Sequence, residues 1–177
     1  MSELGILKIN QHRLVFNNEL LHKAFNECDD CLRALIMRRI KPIIVIHTST
    51  EGADYRAIAA PTALIGQTKM VAHWVARLSA AGLVSAQLMI EPRCGNDKHA
   101  MIPALKTLHA LTALGVIPIV IPNTLTWPNE KPGRLQPDMA GTLAALLNAP
   151  TIEPLLTRSW KNTPSNLSIQ TPEPCAG

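Results

Sequence analysis

The sequence predicts an α/β fold, a three-layer αβα arrangement around a mainly parallel sheet. Three observations predict it. Residues 42–46 (Pro-Ile-Ile-Val-Ile) and 116–121 (Val-Ile-Pro-Ile-Val-Ile) are short, unbroken, β-branched runs of the kind covered on both faces. Longer amphipathic stretches alternate with the apolar runs, which is the pattern of crossover units. Gly82 and Gly115 each stand between the end of such a stretch and the next run, where a helix is expected to stop.

Taken in order, residues 4–9 form a first strand. Residues 17–39 read as a helix, because Leu20, Leu21, Ala24, Phe25, Cys28, Leu32, Leu35 and Ile36 recur at three- and four-residue spacing. Asn17 or Asn18 is placed to cap its start. Arg38, Arg39 and Lys41 favour its carbonyl end, and Lys41-Pro42 breaks it. Residues 42–46 are the second strand, followed by a polar loop over 47–56. A second helix spans 62–81, a third strand 84–90, a third helix 97–114 and a fourth strand 116–121. A proline-rich loop covers 122–137, and Asp138 opens a fourth helix that runs to Asn148. The segment from Pro150 carries Pro154, Pro164, Pro172 and Pro174 among Ser, Thr and Asn. It is expected not to extend the sheet but to form a tail or an arm along a partner, giving an α/β domain over 1–149 and a tail over 150–177.

Composition narrows the function classes. The 177 residues are 47% hydrophobic, 17% charged and only 3% aromatic. That supports one core built from Ala, Leu, Ile and Val, and excludes a disordered chain, a collagen and a disulfide miniprotein. Lys and Arg number 17 against 13 Asp and Glu, a formal charge of +4 spread without a stripe. Nucleic-acid surfaces need a basic track with stacking platforms, so an RNA-associated role for Arg33, Arg38, Arg39 and Lys41 is the weakest reading. The start lacks the basic and apolar regions of a signal peptide, and no run approaches the roughly 18 residues of a membrane span. A cytoplasmic location is expected, with the mitochondrial matrix as the alternative.

Tests for site chemistry are mostly negative. Neither G-x-x-x-x-G-K-[ST], nor G-x-G-x-x-G, nor G-x-S-x-G occurs. Cys28-Asp29-Asp30-Cys31 is a C-x-x-C in mid-helix, away from the helix N-terminus where a dipole would activate a thiol, so both read as core thiols. Cys94, His99 and Cys175 are the only loose additions, and no zinc spacing is present. No metal site is expected. Ligands of open parallel sheets sit beyond the carboxyl ends of the strands, which draws attention to the loops 47–56, 91–97 and 122–137, and to His47 at the end of a buried run.

Five segments then fall into a familiar order. They are Ile43-Ile44-Val45-Ile46-His47-Thr48-Ser49, Ala63-Leu64-Ile65-Gly66-Gln67-Thr68, Ala86-Gln87-Leu88-Met89-Ile90, Thr107-Leu108 through Gly115-Val116-Ile117-Pro118-Ile119-Val120, and Asp138 through Thr142-Leu143-Ala144-Ala145-Leu146-Leu147. Over roughly residues 4–149 the chain resembles the first half of the amino-acid kinase family. The closest pattern is that of glutamate 5-kinases: a T-S-G-A loop, an A-x-G-Q-[ST] helix, an A-Q-[VLM] strand, a T-L-x-x-L-L unit leading to [VI]-P-[VI], and a G-D-N-D helix start. The Ser49-Thr50-Glu51-Gly52 and Leu135-Gln136-Pro137-Asp138 segments also resemble the kinase-like domain of N-acetylglutamate synthases.

The resemblance implies an amino-acid-kinase-like sheet and, where active, ATP- and magnesium-dependent phosphorylation of a carboxylate. Lys8 stands for the lysine that stabilises the transferring phosphoryl group, and Asp138 for the acidic helix start. His47, Thr48, Ser49, Asn123 and Asp138 would hold substrate. The departures are specific. Asn10 and Gln11 replace the glycines that follow the lysine, His47-Thr48-Ser49-Thr50 lacks the loop glycine, and Leu135-Gln136-Pro137-Asp138 keeps one carboxylate. The nucleotide-binding half has no counterpart after residue 149, so a truncated fold is expected. The leading expectation is a degenerate, non-catalytic structural or regulatory subunit of a homo-oligomer or larger complex, with no cofactor. The alternatives are an ATP- and magnesium-dependent kinase of glutamate 5-kinase type and an amino-acid-sensing module.

Overall fold

The computed structural model describes residues 3–10, 15–16, 19–20, 22–47, 59–91, 98–122, 138–154 and 169–170. The architecture is α/β, a parallel sheet with helices on both faces. The strands are β1 (Leu4–Asn10), β2 (Val15–Phe16), β3 (Glu19–Leu20), β4 (Lys41–His47), β5 (Ser85–Ile90), β6 (Ile117–Pro122), β7 (Thr151–Ile152) and β8 (Ile169–Gln170). The helices are α1 (His22–Met37), α2 (Ala59–Ala80), α3 (Lys98–Ala113) and α4 (Met139–Leu147).

The main sheet has the order β5-β6-β4-β1-β7-β8. Its first five strands are mutually parallel, and β8 adds to β7 in the antiparallel sense. From β4 the chain passes through β5 and β6 on one side of β1, then crosses to β7 on the other. β1 is therefore a central strand. Its apolar residues divide by parity, as a strand's period of two requires. Leu7 and Ile9 join Ile44, Ile46, Ile119 and Ile121 against α1 and α2, where Phe25, Leu35, Met70 and Trp74 are fully buried or nearly so. Ile6 joins Ile43, Val45 and Val120 against α3 and α4, with Met101, Leu108, Met139 and Leu143. The alternation puts Lys8 and Asn10 on the α3–α4 face.

All four helices end in the same way, with a left-handed residue and a six-to-one backbone bond that satisfies a free carbonyl. Gly82 (φ 72°) and Gly115 (φ 78°) do this for α2 and α3, where Leu83 donates to Leu78 at 2.9 Å and Val116 to Leu111 at 3.0 Å. Asn148 (φ 49°) ends α4, with Ala149 donating to Ala144 at 3.0 Å. In α1 the residue is Arg39 (φ 61°), with Ile40 donating to Leu35 at 3.0 Å. The helix thus stops at an arginine turn before Lys41-Pro42 is reached, and Pro42 lies inside β4.

Two expectations are corrected. The helix expected over 17–39 begins at His22, because Val15–Phe16 and Glu19–Leu20 pair as antiparallel β2 and β3; Asn17 and Asn18, the expected caps, lie outside the described residues. The segment from Pro150 does extend the sheet. The Ile6 amide donates to the Pro150 carbonyl at 2.8 Å, Thr151 and Ile152 pair with Ile6 and Leu7, and β8 pairs outside them.

Gly5 is required by close approach. A Cβ there would stand 2.8 Å from Ile40 Cγ2 and 3.0 Å from Leu35 Cδ2, at the seam between β1 and the end of α1. Gly5→Ala is expected to destabilise the fold by about 1–3 kcal/mol through overpacking, read from the denaturant midpoint at unchanged slope. Arg39→Gly is expected to stabilise it by up to about 1 kcal/mol by relieving a left-handed arginine, read in the same titration.

Candidate functional site

The carboxyl ends of β1 and β4 and the start of α4 converge on one polar corner. Lys8 Nζ lies 3.0 Å from Asp138 Oδ2, joining residues 130 positions apart in the chain. The lysine side chain is 21% exposed and the aspartate side chain 51%. The ammonium sits near the end of a strand covered on both faces, and the half-exposed carboxylate pairs with it there.

Asp138 precedes the first turn of α4 with φ −70° and ψ 90°, and its carbonyl accepts the Thr142 amide at 2.8 Å. Its side chain makes no capping bond to the helix. The sequence places a cap at this position correctly, but the carboxylate faces Lys8. Gly141 leaves room for that orientation, since a Cβ there would stand 3.1 Å from Oδ2 and 3.4 Å from Cγ of Asp138.

A second polar pair closes the same end of β1. Asn10 Nδ2 donates to Glu153 Oε1 at 2.7 Å. Glu153 follows β7 directly, and the β1–β7 register of Ile6 with Thr151 and Leu7 with Ile152 carries it to the level of Lys8. Sequence reasoning missed Glu153. The Thr-Ile-Glu-Pro stretch is too short to show a period, and only strand pairing brings it beside β1.

Of the predicted site residues, Lys8 and Asp138 are brought together. His47 ends β4 in register with Asn10, which places its backbone at the same corner. Thr48, Ser49 and Asn123 lie outside the described residues, as do Cys94 and Cys175. Arg38, Arg39 and Lys41 lie at the opposite end of the sheet. Arg38 and Arg39 are exposed, while Lys41 Nζ donates to the Thr112 carbonyl at 2.8 Å and so ties β4 to the end of α3.

The C-x-x-C pair lies in the core layer under α1 and α2. Burial is the main cause that pushes both thiols up. Neighbouring Cys31, Asp29 and Glu27 add to it at Cys28, and Asp30 and Glu27 at Cys31. Thiols raised in this way are poor nucleophiles. Around them Arg77 bridges α2 to α1, with Nε 2.9 Å from Asp29 Oδ2 and Nη2 bonded to Asn26 Oδ1 at 2.8 Å and to Asp29 Oδ2. Phe25 lies against His73 and Trp74, with ring centroids 4.2 and 5.5 Å away. This cluster joins two helices.

Among the described residues no three His, Cys, Asp or Glu side chains are grouped to hold a metal ion, and no helix is long and apolar enough to cross a membrane. Comparison of the chain with protein-family models and with curated proteins finds no match.

Gly141 and the two thiols yield two measurable expectations. Alanine at an exposed helix position normally gains about 1 kcal/mol over glycine. Gly141→Ala is expected to gain less than half of that in a denaturant titration and to lengthen the Lys8–Asp138 contact in a crystal structure, because the carboxylate must give way by a few tenths of an ångström. Cys28 and Cys31 are expected to resist a thiol-specific disulfide reagent in the native state at pH 8 and to react only on unfolding, at the rate of unfolding.

Proposed function

We propose that this chain is an amino-acid-kinase-like domain without phosphoryl-transfer activity, acting as a structural or regulatory subunit of a larger assembly. The Asn10–Glu153 hydrogen bond carries this reading. In the family that the sequence resembles, glycines after the lysine let backbone amides approach phosphate. In this chain an asparagine side chain stands there and holds a carboxylate across the end of β1. Preorganised positive groups lower a phosphoryl-transfer barrier, and a fixed negative charge at that place opposes them. The Lys8–Asp138 pair supports the scaffold part of the reading, because it joins the two positions that the resemblance singles out. Free thiols in the core agree with a reducing compartment such as the cytoplasm or the mitochondrial matrix.

The test is turnover. The purified chain, incubated with ATP, magnesium and glutamate, is expected to release no ADP above a protein-free control. ADP formation that disappears in Lys8→Ala would establish the kinase alternative and overturn the proposal.

A second reading, an amino-acid-binding module, is favoured by one feature. The Lys8 ammonium and the carboxylates of Asp138 and Glu153 offer both charges that a zwitterionic amino acid requires. A ligand that binds the native state raises its melting temperature by mass action. An amino acid that raises it in the wild type but not in Asp138→Asn supports the module, and a flat response across all twenty removes it.

A further inference from the structure

We propose that Glu153 sets the charge specificity of this corner, keeping phosphate-type anions away from the Lys8 ammonium. The inference rests on the reading of a domain without phosphoryl transfer, and it names the residue that enforces it.

Lys8 and Asn10 are two positions apart on one strand and therefore share a face. In parallel pairing the residue at the level of a strand position shares its face as well, and the β1–β7 register brings Glu153 to the level of Lys8. The Glu153 carboxylate is held there by the Asn10 amide at 2.7 Å. That donor is neutral, so the bond orients the carboxylate without cancelling its charge. The Lys8 charge is meanwhile offset by Asp138 at 3.0 Å. Lys8, Asp138 and Glu153 together sum to one negative charge. An incoming phosphate meets a lysine already paired and a second carboxylate held by Asn10, two positions along the same strand. The same arrangement leaves a neutral or zwitterionic ligand unopposed.

Glu153→Gln removes the charge and keeps an oxygen that can accept from Asn10. Inorganic phosphate is titrated by calorimetry into the wild type, Glu153→Gln, Glu153→Ala and Lys8→Met/Glu153→Gln at low ionic strength, where the screening length is about 30 Å. The expected result is at least about tenfold tighter phosphate binding in both Glu153 single variants, lost in the double variant and reduced as ionic strength approaches about 0.15 M. Equal phosphate affinity in the wild type and both single variants would overturn the inference, as would a gain that survives removal of the Lys8 charge. Glu153→Ala keeps the test decisive if the glutamine variant folds poorly. Neither outcome depends on turnover. ADP release by the wild type would defeat the functional reading and leave the phosphate comparison to stand or fall by itself.

Discussion

A single lysine near the end of a central strand ties that strand to the start of α4. β1 is flanked by strands on both sides and by helices on both faces, and Lys8 near its carboxyl end keeps 21% of its side chain exposed. An ammonium there needs a partner. Asp138 supplies it at 3.0 Å, and in doing so turns its carboxylate away from the capping bond that an aspartate before a helix usually makes. The first turn of α4 accommodates this with a glycine at 141, and the apolar side of α4, through Met139, Ala140, Leu143 and Ala144, seats on Ile6 and its neighbours one layer below.

The strand order explains why the polar groups gather at one corner. Because the chain returns to β7 beside β1 after building β5 and β6 on the far side, the residues that follow β7 arrive next to the residues that end β1. Asn10 and Glu153 come from separate stretches of sequence and meet across β1 and the end of β7, while His47 stands in register with Asn10 on the other side. The arginines that close α1 are carried to the opposite end of the sheet and do not reinforce Lys8. At the corner itself the described charges are mixed, and the polar groups orient one another.

Much of the fold is legible in the sequence because burial on both faces leaves a strong local signature. Residues 43–46 and 117–121 contain no polar side chain, and they are the strands with least exposure. Gly82 and Gly115 mark helix ends because a left-handed residue without a Cβ is the cheapest way to end a helix. The less legible features depend on pairing or on a costly conformation. β2, β3, β7 and β8 are two residues each, too short for any period to register. Arg39 adopts a left-handed turn that its residue type does not advertise. At the site, the order of motifs points to Lys8 and Asp138, each at the edge of a well-patterned element. Glu153 stays hidden because Pro154 follows it and the strand before it is two residues long. The same shortness makes the segment from Pro150 read as tail, although Thr151 and Ile152 pair with β1.

The central claim is that Lys8 and Asp138 act as one unit joining β1 to α4. A double-mutant cycle on folding stability, using Lys8→Met, Asp138→Asn and the combination, tests it most directly. A coupling of about 0.5–1 kcal/mol is expected for a pair this exposed, with the double variant less destabilised than the sum of the single ones. Additive effects, agreeing within about 0.3 kcal/mol, would contradict it.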